Sequence, residues 1–199
     1  MNTELPLVYL ARHGETEWSL TGQHTGLTDL PLTERGRRNA HQLGQRLKSI
    51  NFAAVLTSPL ERARNTCELS GFGSSAQVDR DLVEWDYGEY EGLRTAEIQK
   101  KHPGWQVFVN GCPGGESVND VTTRADRILQ KIREVNGNVL VFSSGHFIRV
   151  FAVRWLGLEV SGNCRYFKLS TASVSVVGYG KSISDPAIWL WNDAHHVST

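Results

Sequence analysis

Arg12, His13 and Gly14 stand together at the end of an apolar run, Leu7-Val8-Tyr9-Leu10-Ala11. A buried strand ending there would carry Arg12 and His13 to its carboxyl end, with Gly14 allowing a sharp turn. In an open α/β sheet that end is where ligands bind. An imidazole beside a guanidinium at such a place suits a nucleophile or base facing an anion. The plainer alternative pairs Arg12 with Glu15 or Glu17 and leaves His13 as the end of a strand. Arg62 follows a second apolar run and would join the same rim if the two strands are neighbours. A phosphate monoester carries up to two negative charges near neutral pH, so a pocket for one needs several converging donors. The arginine fork meets that need because it binds two oxygens at once and stays charged.

The elements that must position these groups read as alternating strands and helices. After the first strand, a polar loop covers Trp18 to Pro31. Thr33 is the predicted N-cap of a helix whose Ala40, Leu43, Leu47 and Ile50 recur at three- and four-residue spacing. Phe52 to Thr57 reads as a second buried strand. Ser58-Pro59-Leu60-Glu61 then has the spacing of a capping box with proline at the first helical position, and Gly71 closes that helix. A short helix is expected over Thr95 to Lys101. A longer one starts at Ser117 and Asp120, carries the stripe Val118, Val121, Ala125, Ile128, Leu129, Ile132 and Val135, and stops at Gly137. Asn138 to Ser143 is the next strand, turning at Ser144-Gly145-His146 into a helix that ends near Gly157. Three late strands are expected at Tyr166 to Leu169, Ser173 to Tyr179 and Ile188 to Trp191. This alternation points to an α/β fold with a mostly parallel central sheet covered on both faces.

A length of 199 residues suits one domain spanning 1–199. Lys and Arg total 21 and balance 21 Asp and Glu, so no broad basic face for nucleic acid is expected. No apolar run approaches a membrane span, and Met1 to Pro6 lacks the apolar centre of a signal peptide. The three cysteines, Cys67, Cys112 and Cys164, are odd in number and widely spaced, which favours free thiols in a cytoplasmic protein over a disulfide framework. No cluster at metal-ligand spacing occurs, so no metal and no cofactor are expected.

Leu10 to Trp18 reads Leu-x-Arg-His-Gly-Glu-Thr-x-Trp, and Thr25-Gly26-Leu27-Thr28-Asp29-Leu30-Pro31-Leu32-Thr33-Glu34-x-Gly36 follows. Both segments resemble the opening of the histidine phosphatase family, which includes the cofactor-dependent phosphoglycerate mutases. Thr57-Ser58-Pro59-Leu60-Glu61-Arg62-Ala63 is similar to its second phosphate-binding segment. Glu84-Trp85-Asp86-Tyr87-Gly88-Glu89-Tyr90-Glu91-Gly92 is similar to its acid segment. Within the family the resemblance is closest to sugar-phosphate phosphatases of the sedoheptulose bisphosphatase kind. It implies a three-layer α/β/α sandwich with His13 as phosphorylated nucleophile, Arg12 and Arg62 as phosphate ligands and Glu84 as proton donor. Ser19, Gln23, His24, Thr25 and Gly26 fall where relatives touch phosphate or the substrate body. Asp86, Glu89 and Glu91 are read as solvated carboxylates, and Trp18, Trp85 and Tyr87 as packing.

The sequence departs from the family where a second histidine is usual, because that position holds Ser144. The run Ser143-Ser144-Gly145-His146-Phe147-Ile148-Arg149 has its histidine two places later. His146 could supply the missing imidazole; Ser144 and Gly145 could supply a hydroxyl and helix N-terminal amides; or the site could be weakened into a phosphoester-binding one. The leading expectation is hydrolysis of a small phosphorylated metabolite, a sugar phosphate above all. A mutase is the alternative, but family mutases carry a longer insertion with paired arginines, and Arg94 is the only arginine here between Arg80 and Arg124. Neither nucleic acid nor membrane is an expected partner, and a homodimer stays open.

Overall fold

The computed structural model describes residues 5–197, so the first four residues of the Met1 to Pro6 stretch lie outside the described residues. The elements run β1 (Val8–Arg12), α1 (Glu17–Thr21), α2 (Glu34–Leu47), β2 (Ala54–Thr57), α3 (Glu61–Leu69), β3 (Ala76–Val78), α4 (Thr95–Lys101), α5 (Val107–Asn110), α6 (Val118–Arg133), β4 (Val139–Ser143), α7 (Gly145–Trp155), β5 (Val174–Tyr179) and β6 (Pro186–Asp193). They build a six-stranded sheet in the order β3-β2-β4-β1-β5-β6. β3, β2, β4 and β1 pair in parallel, while β5 runs antiparallel to β1 and β6 antiparallel to β5.

Strand alternation sorts the core into two layers. Val8 and Leu10 of β1, Leu56 of β2 and Val139 and Val141 of β4 pack with Ile128, Phe147 and Phe151 from α6 and α7. Ala11, Val55, Leu140 and Phe142 face the other way, onto Leu43 and Leu47 of α2 and Cys67 of α3. The chain is therefore an α/β/α sandwich. After β1 it crosses one face in α2; after β4 it crosses the opposite face in α7. The carboxyl ends of β1 and β4 are thus a topological switch point, the place where a crevice opens in such sheets.

Several local expectations are corrected. The second strand starts at Ala54 rather than Phe52. Pro59 lies outside α3, whose N-cap is Leu60. The helix's first free amide, that of Glu61, donates instead to Asp29 Oδ1 at 2.7 Å, a cap from 32 residues away. Tyr166 to Leu169 forms no strand. A 3₁₀ turn covers Gly162–Tyr166, Cys164 anchors it in the core, and Phe167 packs edge-on against Trp191. Gly14 does not occupy a left-handed conformation. What requires glycine there is close approach, since a Cβ would stand 2.7 Å from the Gly36 carbonyl oxygen. The three cysteines are free and buried.

Candidate active site

His13 continues β1 past its last paired residue, its N–H donating to the Ser143 carbonyl at 3.0 Å. Its own carbonyl accepts from the Ala172 N–H at 2.9 Å, so backbone bonds from two neighbouring segments fix its position. The buried ring directs Nδ1 to the Gly14 carbonyl at 2.7 Å. A carbonyl can only accept, so Nδ1 carries the proton and Nε2 keeps a lone pair. Burial, then the Arg62 and Arg12 charges, hold the imidazole well below its usual pKa, so it is neutral near pH 7.

Two guanidinium groups flank the ring, and both are held by backbone carbonyls rather than carboxylates. Arg12 Nη1 donates to Leu169 O at 2.6 Å, and burial pulls its pKa down to about 10 against the opposing pull of Glu84. The alternative partner Glu15 is taken by Arg35 and Thr33. Fully buried Arg62 spends Nη1 on Thr28 O and Nη2 on Gly26 O and Thr25 O, at 3.0, 2.7 and 3.0 Å. Burial lowers its pKa as well. β4 separates β2 from β1, so the strands leading to Arg62 and His13 are not neighbours. The parallel direction of all three strands nevertheless puts their carboxyl ends on one rim.

Glu84 is buried at the start of α7. Its Oε1 accepts from the Trp85 and Phe147 amides and its Oε2 from the His146 amide, each at 2.9 Å. The segment carrying it is clamped from behind. Arg124 donates to the carbonyls of Asp81 at 2.6 Å, Val83 at 3.2 Å and Glu84 at 3.4 Å, and pairs with Glu116 at 2.6 Å. Ser143 Oγ adds a bond to Leu82 O at 2.7 Å.

His146 stands 4.0 Å from Glu84 Oε2 through Nδ1, which is also 2.5 Å from the Tyr87 hydroxyl. Burial, with Arg149 next, holds His146 well below the usual histidine pKa, and burial pushes the Tyr87 phenol up. The phenol is therefore the donor of that bond, and His146 presents a neutral ring to the cleft. Ser144 caps α7 as a fully buried residue whose hydroxyl makes no hydrogen bond. Gly145 leaves room for Arg12, whose Nε would lie 3.3 Å from a Cβ there. Among the described residues, the buried side-chain nitrogens and oxygens without partners include Arg12 Nε, Arg62 Nε, Arg149 Nε and Ser144 Oγ. Buried donors are rarely left orphaned without a reason, and an unbound ligand is one.

A cleft of about 420 Å³ joins Arg12, His13, Ser19, Gln23, His24, Thr25, Glu84, Gly145 and His146. Arg62, Gly26 and Ser144 stand behind that lining. Gly26 is corrected from a substrate contact to a support: its N–H goes to Glu91 at 2.8 Å and its carbonyl to Arg62. Glu91 is likewise no solvated carboxylate, since it holds the Gly26 and Thr28 amides. Gly22, Tyr87, Thr95, Arg149 and Lys168 also line the cleft and were missed. Arg149 had a readable signal, one helical turn after His146. Tyr87 lies in the acid segment, where its aromatic type reads as packing, and Lys168 comes from an irregular loop without a motif. Among the described residues, no group of three or more His, Cys, Asp or Glu side chains could hold a metal ion, and no helix is long and apolar enough to cross a membrane.

The chain is 40% identical over 183 residues to an acid phosphatase of Mycobacterium tuberculosis, covering 90% of this chain and 89% of the relative. It is 36% identical over 192 residues to the sedoheptulose 1,7-bisphosphatase of Saccharomyces cerevisiae, covering 80% and 70% respectively. The solved structure of the product of a Mycobacterium tuberculosis open reading frame superposes with a TM-score of 0.89 at 37% identity, over 96% of this chain and 99% of that one. The profile of the Histidine phosphatase superfamily (branch 1) matches residues 8–194, so the chain belongs to that family and is a phosphoric monoester hydrolase.

Proposed function

We propose that the chain hydrolyses a small phosphate monoester, a sugar phosphate being the favoured class, in two displacements through a phosphohistidine on His13. The observation that carries this reading is the neutral His13 ring, its Nδ1 proton tied to Gly14 O and its Nε2 free, between two arginines. In the first step Nε2 attacks phosphorus, the P–O ester bond breaks, and the leaving alkoxide takes a proton from Glu84. In the second step water gives a proton to the Glu84 carboxylate as its oxygen attacks phosphorus. The P–N bond breaks, and inorganic phosphate leaves with the ring neutral again. Arg12, which lines the cleft, would donate to the phosphoryl oxygens, and Arg62 behind the lining adds positive charge.

A panel of phosphorylated metabolites with free phosphate as readout tests this. Turnover by the native chain and none by His13→Ala is the expected result. In the first step, read as the burst of leaving-group release, Glu84→Gln should slow sugar phosphates far more than an aryl phosphate, whose leaving group needs no proton. Equal slowing of both contradicts the role given to Glu84.

A further inference from the structure

Among the described residues, two non-glycine residues have positive φ: Ala172 at 55° and Asn192 at 56°. That conformation is disfavoured for a residue with a Cβ, less so for asparagine, and persists only where the surroundings hold it. Both residues meet at one place, the loop 169–173 beside β1. This loop grips the two site residues that end β1. The Ala172 N–H donates to the His13 carbonyl at 2.9 Å, and the Ser173 carbonyl accepts from the Arg12 N–H at 3.0 Å. The backbone of Ser143, Gly14 and Ala172 holds His13, so a shift of the loop passes directly to the imidazole.

The loop is itself held from β6 and the turn that follows it. The β5–β6 register breaks between Val174 and Val176, and there the Asn192 N–H donates to Ser175 Oγ at 3.0 Å. Asn192 Oδ1 accepts from the Ser170 N–H at 2.6 Å. His196 Nε2 lies 2.8 Å from the Ala172 carbonyl, which can only accept, so Nε2 is the donor. The Val197 N–H closes the turn on Ala194 O at 2.9 Å. Asp193 Oδ1 takes the His195 N–H at 3.1 Å, and Arg46 of α2 holds Oδ2 at 3.3 Å. Neither Asn192 nor His196 lines the cleft.

We propose that Asn192 and His196 are positioning residues for catalysis. They lock the loop 169–173 with Ala172 in its left-handed conformation, and the loop sets the His13 backbone so that the ring meets phosphorus. Without their two bonds Ala172 relaxes towards negative φ, which turns a peptide group away from His13 or from His196. This rests on His13 being the residue that is phosphorylated.

Four single variants of the full chain test it, assayed with a sugar phosphate and an aryl phosphate below the Tm of each. His196→Ala and Asn192→Gly each delete one bond, and glycine keeps the left-handed conformation open at 192. His196→Gln retains an N–H donor, and Asn192→Asp retains an oxygen acceptor. The deleting variants should lower kcat about tenfold or more and change KM less than about threefold, because misplacing a reacting group costs rate while the charges that bind the ester remain. The conservative variants should return kcat to within about threefold of the native chain. Native kcat in both deleting variants overturns the inference, even where Tm falls. A loss that the conservative variants fail to recover overturns it too, as does failure of both deleting variants to fold, which marks a structural role alone. These outcomes leave the phosphatase reading standing. Release of phosphate from neither ester by the native chain removes both.

Discussion

Lowering the pH from 7.5 to 5.5 should destabilise the fold through three histidines of the site before carboxylates begin to protonate. His13 and His146 are held well below the usual pKa by burial, and burial alone takes His24 to about 4. Each is neutral when folded, whereas in the unfolded chain each titrates near 6.5. Below that value the unfolded state binds more protons, so stability falls as pH falls; above it the three contribute nothing. For one histidine that stays neutral in the native state, the loss at pH 5.5 is about 1.4 kcal/mol. Three give an upper bound of about 4 kcal/mol, and partial exposure of the His146 side chain, at 21%, lowers the expectation to about 3–4 kcal/mol. That is a large part of the roughly 5–15 kcal/mol typical of a domain. The loss for His24 levels off once the pH passes about 4. Asp81, held down by Arg127, and Glu97, held near 2 by Arg94, contribute only at lower pH. Urea unfolding at pH 7.5, 6.5 and 5.5 measures the effect, and His24→Gln should remove about one proton from the slope. A free energy that changes by less than ~1 kcal/mol across this range would refute the neutral, buried state assigned to these rings.

Ser144→Ala removes a hydroxyl with no protein partner, so Tm should hardly move. A loss of more than about 1 kcal/mol in chemical unfolding would show that this hydroxyl holds a partner in the fold. Arg124→Met leaves Glu116 without its partner, where the two side chains are 10% and 19% exposed, and frees the carbonyls that clamp the Glu84 segment. A loss of about 3–5 kcal/mol in chemical unfolding is expected, together with a lower kcat. Gly26→Ala would put a Cβ 2.6 Å from Trp85 O and from Glu91 Oε2. It should cost about 1–3 kcal/mol and raise KM by displacing the carbonyl that holds Arg62, and an unchanged Tm would count against that packing.

The long periodic elements were legible because their signals are local. Thr33 caps α2 and Ser117 caps α6, and Val121, Ala125, Ile128, Leu129 and Ile132 are buried as their spacing requires. The placement of Arg12 and His13 at a strand end was legible for the same reason: the apolar run and its stop are adjacent in the chain. The rest depends on partners distant in sequence. Asp29 capping α3, the carbonyls of Thr25, Gly26 and Thr28 gripping Arg62, and Tyr87 bonding His146 across 59 residues carry no local mark. β3 is three residues, with Gln77 and Val78 exposed, so neither alternation nor apolar content reveals it. The loop carrying Leu169 and Lys168 looked like a strand because Phe167 and Leu169 alternate with polar residues. Tertiary packing of Phe167 and the Arg12 bond to Leu169 O override that pattern.

Alkaline denaturing quench during turnover of a phosphorus-32-labelled sugar phosphate, with the label then mapped by peptide at high pH, bears most directly on the mechanism. Acid-labile, base-stable label on the peptide containing His13, lost in His13→Ala, is the predicted result. Steady release of phosphate with no label on His13 at any time of quench would contradict it.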